Sequence, residues 1–502
     1  MQQVSANYSP YTDVRSIGIS ISFALIDTAA SGNTTVTDNG AEQFSKVAQL
    51  IAAEVKSPGK IMTMEDDLVQ TDGTWIPMPD GMIVPYWSTA LSDERGSFSS
   101  PPTLTMNLSA PASSAGFTML FDDPAKCWPG TVRITAYSGD SRLAQQEFTV
   151  TEAILVANMP VDDYDTVKVE FLNTPAPYRR IKMYQFIFGI IQEFDQSMVV
   201  TAEFEYGVSI DCSSIPSRKL TFTFDNKDKQ YNFLNPTGIY KYLQNGQSVY
   251  TGISINSESV NTGQFAFQKA TASDDALTAQ ITANDYVMRL EKDKYTGGQS
   301  GTWTLTEAVS AILGDDIQTD IPASLASVIV GKAIPADSTK REALRLVSQA
   351  AQCTCWCDRD GVFVFRDLVI GTSVDTLTSD NMYGLSGISV GEFYDCVKLT
   401  VDDSYSESDP VEYVAGSGVN VKTYSNPCAI NGQQVANWLL ATLQRRLQYD
   451  PSNRGNPAVE IGDTITIYNA FDAAENAVVT GQTLTYNGGL KANTKALGAA
   501  WE

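Results

Sequence analysis

Apolar and polar residues alternate through most of the chain in short runs, which Gly, Pro, Asn and Asp interrupt every few positions. That is the period-two signature of half-buried strands. Residues 16–26 predict one long strand, with Ile17, Ile19, Ile21 and Phe23 on one face. Leu220, Phe222 and Phe224 share a face opposite Thr221 and Thr223, and near the end Ile465 and Ile467 point one way. Helical spacing is rarer. Val47, Ile51 and Val55 predict a helix over 43–55, stopped before Pro58-Gly59. Thr304 stands three residues before Glu307, and Thr339 three before Glu342. Each pair reads as a capping box at a helix start. The first of these helices ends at Gly314, a suitable residue for the position past a helix end. The second carries Leu344, Val347 and Ala351 and runs into a hairpin, Cys353 to Phe365, turning at Asp360-Gly361. A further helix is predicted over 433–448, with Val435, Leu439, Leu443 and Leu447 on one stripe. Arg445 and Arg446 fall in its last turn, and Pro451 follows.

The texture changes twice. From about Pro77 to Met198 the chain is rich in Ser, Pro, Gly and aromatics, with closely spaced turn signals, as in a β-sandwich. Past Val199 the strands lengthen and the helices appear. A length of 502 residues suggests three or four domains. The expected fold is mainly β with small α/β inserts. Its expected segments are 1–76, a sandwich at 77–198, a β-module at 199–300, a small helix–hairpin domain at 301–368, and a second β-module with a helix at 369–502.

Charge and composition narrow the function. With 34 Lys+Arg against 58 Asp+Glu the formal charge is −24, which argues against a phosphate-binding surface and against attraction to an anionic membrane. The sequence contains no histidine, which removes Ser-His-Asp and Cys-His catalysis and every His-ligated metal site. The first residues have neither a basic nor an apolar leader region, and no apolar run reaches bilayer length. Seven scattered cysteines do not read as a disulfide framework. A soluble protein made in a reducing cytoplasm is the expectation.

The candidates for chemistry are few. Cys353, Cys355 and Cys357 would line one strand face about 7 Å apart, which suits core packing better than a metal that needs converging sulfurs. Asp358-Arg359-Asp360-Gly361 resembles a calcium-loop fragment without its closing Glu, so a hairpin turn is preferred. Asp225-Asn226-Lys227-Asp228 reads as a polar turn whose lysines compete with any cation. Glu65 and Asp67 could cooperate as paired carboxylates, but a solvated face is the default. Gly297 to Gly301 lacks the Lys-Ser/Thr pair of a phosphate loop. Neither a catalytic constellation, a cofactor site nor a metal site is expected. Tyr86, Trp87 and Trp128, with Trp75, form a candidate sugar-stacking platform, against the plainer reading that they are core.

Several stretches together resemble the baseplate hub (tail-tip) proteins of tailed bacteriophages and prophages, especially those of Gram-positive hosts. SRKLTFTFDNKDKQYNFLNPTGIYKYLQ, residues 217–244, is similar to the strand and Asn-Pro turn that open the hub part. REALRLVSQAAQCTCWCDRDGVFVFRDL, 341–368, is similar to the family's helix–hairpin unit. EIGDTITIYNAFDAAENAVVTGQTLTYNGGLKANTKALG, 460–498, resembles its closing hairpin. YWSTALSDERGSFSSPPTLTMNLSAPASSAGFTMLFD, 86–122, with RRIKMYQFIFGIIQEF, 179–194, resembles a lectin-like sandwich carried by some tail proteins. The resemblance implies two hub-type β-barrels, a jelly-roll-like insertion, and a homotrimeric ring that lets the genome out. Its implied partners are the tail tube or distal tail protein, the tape measure protein, and tip, spike or fibre proteins. No nucleic-acid specificity and no membrane insertion are implied. The location would be the virion tail tip, assembled in the host cytoplasm. The alternative function is a carbohydrate-binding tail adhesin whose partner is a host-surface glycan.

Overall fold

The computed structural model describes residues 1–40, 47–51, 85–121, 127–227, 229, 242–297, 299–314, 317–403, 405, 409–471 and 473–500. The fold is mainly β, with short helices. It divides into two compact units, one inserted in the other: Met1–Ser22, Glu193–Phe233 and Ser248–Glu502 form the first, and Phe23–Gln192 with Leu234–Gln247 the second.

The second unit holds the segment expected as a sandwich, and it begins well before residue 77. Thr34–Asp38 is one of its strands, pairing antiparallel with Thr103–Phe121 and placing Val36 opposite Met106. Val36 and Met106 are both buried, so this short strand is held by the sandwich core. Thr103–Phe121 pairs along both halves with Ile154–Asn173. Between Asn107 and Gly116 its register shifts three times, bulges that bend the strand between its two sets of partners. Before the bulges it lies beside Thr34–Asp38; after them it pairs with Met183 to Phe188. Gly116 sits where a Cβ would meet the Ala157 carbonyl oxygen at 2.1 Å, so the crossing admits only glycine. Thr131–Ser138 extends the sheet between Ile154–Asn173 and Ser141–Thr149. The core is aromatic. Phe117 meets Phe186 and Tyr164 at ring-centre distances of 5.7 Å and Phe188 at 6.4 Å. The buried Tyr164 hydroxyl is satisfied by Ser114 at 2.6 Å.

In the first unit, Val199–Gly207, Lys219–Asp225, Thr278–Asn284, Glu258–Ala272 and Ser248–Ile255 pair antiparallel in that order. Leu220, Phe222 and Phe224 are fully buried, as their spacing predicts. The free side of Val199–Gly207 takes the second half of Ala474–Tyr486. The first half of that long strand pairs instead with Thr464–Tyr468, which runs parallel to Ser373–Leu377. Leu490–Leu497 covers its other side and receives Leu447–Tyr449. The two β-modules expected at 199–300 and 369–502 are thus joined through one shared strand.

Between them in the chain lies the α/β module. Its core gathers Ile312 from the Leu305–Leu313 helix, Leu344 and Val347 from Lys340–Ala350, and Cys353, Cys355, Cys357, Phe363 and Phe365 from the hairpin. It also takes Val397 and Leu399 from Cys396–Val401, and Val435 and Leu439 from the Gly432–Gln444 helix. The expected boundary at 368 therefore cuts through this core: the third helix lays its apolar stripe here rather than on the last β-module. That helix ends at Gln444, four residues short of the expectation, because Leu447–Tyr449 is recruited as a strand by Ile388–Val390 and Leu490–Leu497. Arg445 accordingly leaves the helix and donates to the carbonyls of Leu368 and Gly498. The helix expected over 43–55 is described only as a 3-10 turn, Val47–Ile51; the rest lies outside the described residues.

The two start signals differ in detail. Thr304 accepts from the Glu307 amide and Glu307 returns the bond, a complete capping box. Thr339 accepts from the Glu342 amide, but the Glu342 carboxylate binds Arg345 through two bonds of 2.7 and 2.8 Å. Among the described residues no helix is long and apolar enough to cross a membrane.

Candidate functional site

The aromatic platform does not form. Tyr86 and Trp87 are 1% exposed and Trp128 is 8% exposed. Tyr86 packs on Phe171 at 5.9 Å, and the Lys182 ammonium sits 4.2 Å from the centre of the Trp87 ring. A ring enclosed in this way has no face to offer a sugar, so these three residues are core. Trp75, Glu65, Asp66 and Asp67 lie outside the described residues, as does Asp228. In the neighbouring turn the Lys227 ammonium holds the Asp225 carboxylate at 2.6 Å. Thr302–Thr304, after the glycine run, is a strand paired with Ile329–Gly331.

The three hairpin cysteines are all buried in the α/β core, where Cys355 faces Phe365 and Cys357 faces Phe363 across the hairpin. Burial pushes the Cys357 thiol up to about 12 and those of Cys353 and Cys355 well above their ordinary value. Thiols so protonated at neutral pH are poor nucleophiles and poor ligands. Among the described residues no cluster of three or more acidic or cysteine side chains is arranged to hold a metal.

The first unit instead contains a cavity of about 400 Å³ between the Thr354–Cys357/Phe363–Arg366 hairpin and the segment that leads into Thr464–Tyr468. One wall is apolar: Trp356, Val364, Leu368, Val369 and Ile461. The turn residue Asp358 is fixed by the Asp360 and Val362 amides at 3.0 and 2.9 Å, and Gly361 closes the turn with φ +84°. Arg359 swings the other way. Its guanidinium lies 4.9 Å from the Tyr206 ring centre and donates to the Val459 carbonyl at 2.7 Å and to that of Pro457. Arg218 is likewise committed, to Asp285 at 3.2 Å. Its buried Nη1 has no hydrogen-bond partner. Gln482, also lining the cavity, has a buried Oε1 with no hydrogen-bond partner.

Negative charge is in excess here. Asp320, Asp358, Asp367, Glu460 and Asp463 line the cavity. Arg366 pairs with Asp320, while the Arg359 donors go to main-chain carbonyls. Burial raises the Asp358 and Glu460 carboxyls, and for Glu460 the charges of Asp463 and Asp358 add to the rise against the pull of Arg359. The Met1 ammonium lies 2.5 Å from Asp463 and 3.7 Å from Glu460. Sequence reasoning singled out Asp358 only as a turn residue and missed the rest. The acids come from segments about a hundred residues apart, and only the fold brings them together.

No protein-family model matches the chain, and no curated protein matches it. Among solved structures the chain is similar to a tail protein from Neisseria meningitidis MC58, with 12% identity over 61% of this chain and 93% of that one and a TM-score of 0.44. It is similar to the 43 kDa tail protein of prophage MuSo2 from Shewanella oneidensis, with 11% identity over 61% and 95% of the two chains and a TM-score of 0.42. It is also similar to the prophage tail protein gp18 from Listeria monocytogenes EGD-e, with 10% identity over 62% and 92% and a TM-score of 0.40.

Proposed function

We propose that this chain is a structural protein of a bacteriophage or prophage tail, a homotrimeric baseplate hub that joins the tail tube to the tip. The observation that carries the reading is the build of the first unit. Two β-modules are fused through Ala474–Tyr486, with a helix–hairpin module between them in the chain and a sandwich inserted near the start. This is the order of parts that the sequence resemblance implies. Three such chains would bring six β-modules around an axis, and the tape measure protein, tube or distal tail protein and tip proteins would meet that ring. The −24 charge suits a lumen that must pass a polyanion without holding it, since basic groups there would bind phosphates. The glycan-binding alternative loses its three rings to the core.

The test is an electron micrograph of intact particles labelled with antibody to this chain. Label at the tail tip supports the hub; label along the tube or at the head rejects it. Light scattering at micromolar concentration should give a trimer, and a persistent monomer would count against the ring. An axial face lined mainly by Lys, Arg or apolar residues would remove the acidic channel.

A further inference from the structure

We propose that Arg359 and Arg445 form a two-point clasp that sets the angle at which the α/β module sits on the two β-modules. Apolar contact alone leaves that angle open. Trp356, Val364 and Leu368 on the hairpin side meet Val478 and Leu497. Such contact is non-directional, and a cavity of about 400 Å³ borders it, so shape does not fix the fit. Hydrogen bonds supply the direction. Arg359 lies at the tip of the hairpin, is 4% exposed, and donates only to main-chain carbonyls outside its own module. Asn261, at 3.3 Å, belongs to Glu258–Ala272 of the first β-module. Pro457 and Val459 lead into Thr464–Tyr468 of the last. Two more bonds hold the same turn: the Gln264 amide donates to the Arg359 carbonyl at 3.2 Å, and the Asn261 side chain to Asp360 at 2.7 Å. Arg445 acts where the hairpin ends. It donates to the Leu368 carbonyl and, at 3.3 Å, to that of Gly498, next to Leu490–Leu497. Arg359 and Leu368 both line the cavity, so both points of the clasp border the unfilled space. A planar guanidinium meets several carbonyls in fixed directions, which an ammonium on a flexible stem does not.

The inference stands on these contacts and not on the tail reading. The test uses the full chain with spin labels at Ala311→Cys and Lys495→Cys, both exposed positions, on Leu305–Leu313 and Leu490–Leu497. The seven native cysteines are buried, which keeps the labelling specific. Double electron–electron resonance should give one narrow distance in this parent. Arg359→Lys should broaden the distribution, and adding Arg445→Lys should broaden and shift it further. Arg445→Lys alone, on a half-buried side chain, should broaden it without altering exchange at 261–264. Under hydrogen exchange, the amides of 261–264 and 458–462 should open at least about tenfold more readily in Arg359→Lys, while those of Lys340–Ala350 keep their rate. An unchanged distance distribution in any of the three variants would overturn the clasp, because packing would then hold the angle. Equal loss of protection at Lys340–Ala350 would overturn it too, since Arg359 would then support the fold of the module and not its placement.

Discussion

The sandwich and the α/β module both hide a large apolar core, but they close it by different means. In the sandwich, long bent strands bring Phe117, Tyr164, Phe186 and Phe188 into ring contact, and one side chain touches several others. In the α/β module, helices lay aliphatic stripes on short strands, and three cysteines fill the narrow hairpin face. An aromatic cluster concentrates stability in few positions. An aliphatic and thiol core spreads it over many, so each position matters less.

The sharpest way to break that contrast is Phe117→Ala. It should cost about 3–5 kcal/mol, and urea unfolding should show the loss in the sandwich transition with the other unit's midpoint unmoved. A loss below about 1 kcal/mol would show that the ring cluster is not the keystone of that core. Next is Leu439→Ala, fully buried in the α/β core though it lies far beyond residue 368. We expect about 2–4 kcal/mol, with hydrogen exchange rising at Lys340–Ala350 and in the hairpin. Exchange rising only in the last β-module would restore the boundary expected from sequence.

Smaller effects should follow at the cysteines. Cys355→Ala should cost about 1 kcal/mol, and the native thiols should resist iodoacetamide at pH 8 while reacting fully in urea. Because burial lifts the folded-state value of Cys357 to about 12, the unfolded chain releases that proton first as pH rises. The part of the stability that Cys357 contributes should therefore be flat below pH 9 and fall between pH 9 and 12, which the difference between thermal melts of the native chain and of Cys357→Ala across that range would show. Elemental analysis finding one zinc per chain would contradict the packing role. The smallest expected effect separates the two helix starts. Thr304→Ala and Thr339→Ala should each cost about 1 kcal/mol. Glu307→Ala should add a few tenths by opening the complete box, whereas Glu342→Ala should act through freed Arg345, and NMR of the Thr304 amide would tell them apart.

Much of the local structure was legible. The faces of Leu220, Phe222 and Phe224, the Thr304 and Thr339 caps, and the Asp-Gly turn all follow from period and turn chemistry, which act over a few residues. What failed depended on distance. Thr34–Asp38 is held by partners about 70 residues away, and Gly432–Gln444 joins a core that reaches back to Leu305–Leu313, while amphipathic patterning names no partner. The same limit hid the cavity, whose acids have no shared motif. Tyr86, Trp87 and Trp128 show the converse error: an aromatic is a sugar platform only when its face is open, and residue type alone says nothing of exposure.

The strand Ala474–Tyr486 has a mechanical consequence. It is bonded to Leu490–Leu497 on one side, and on the other to Thr464–Tyr468 and Val199–Gly207 in succession. Antiparallel ladder bonds lie across the strand axis. A force drawn along this strand therefore loads the bonds of both β-modules together, in shear, instead of peeling them one after another. The two modules therefore share the load that this strand carries.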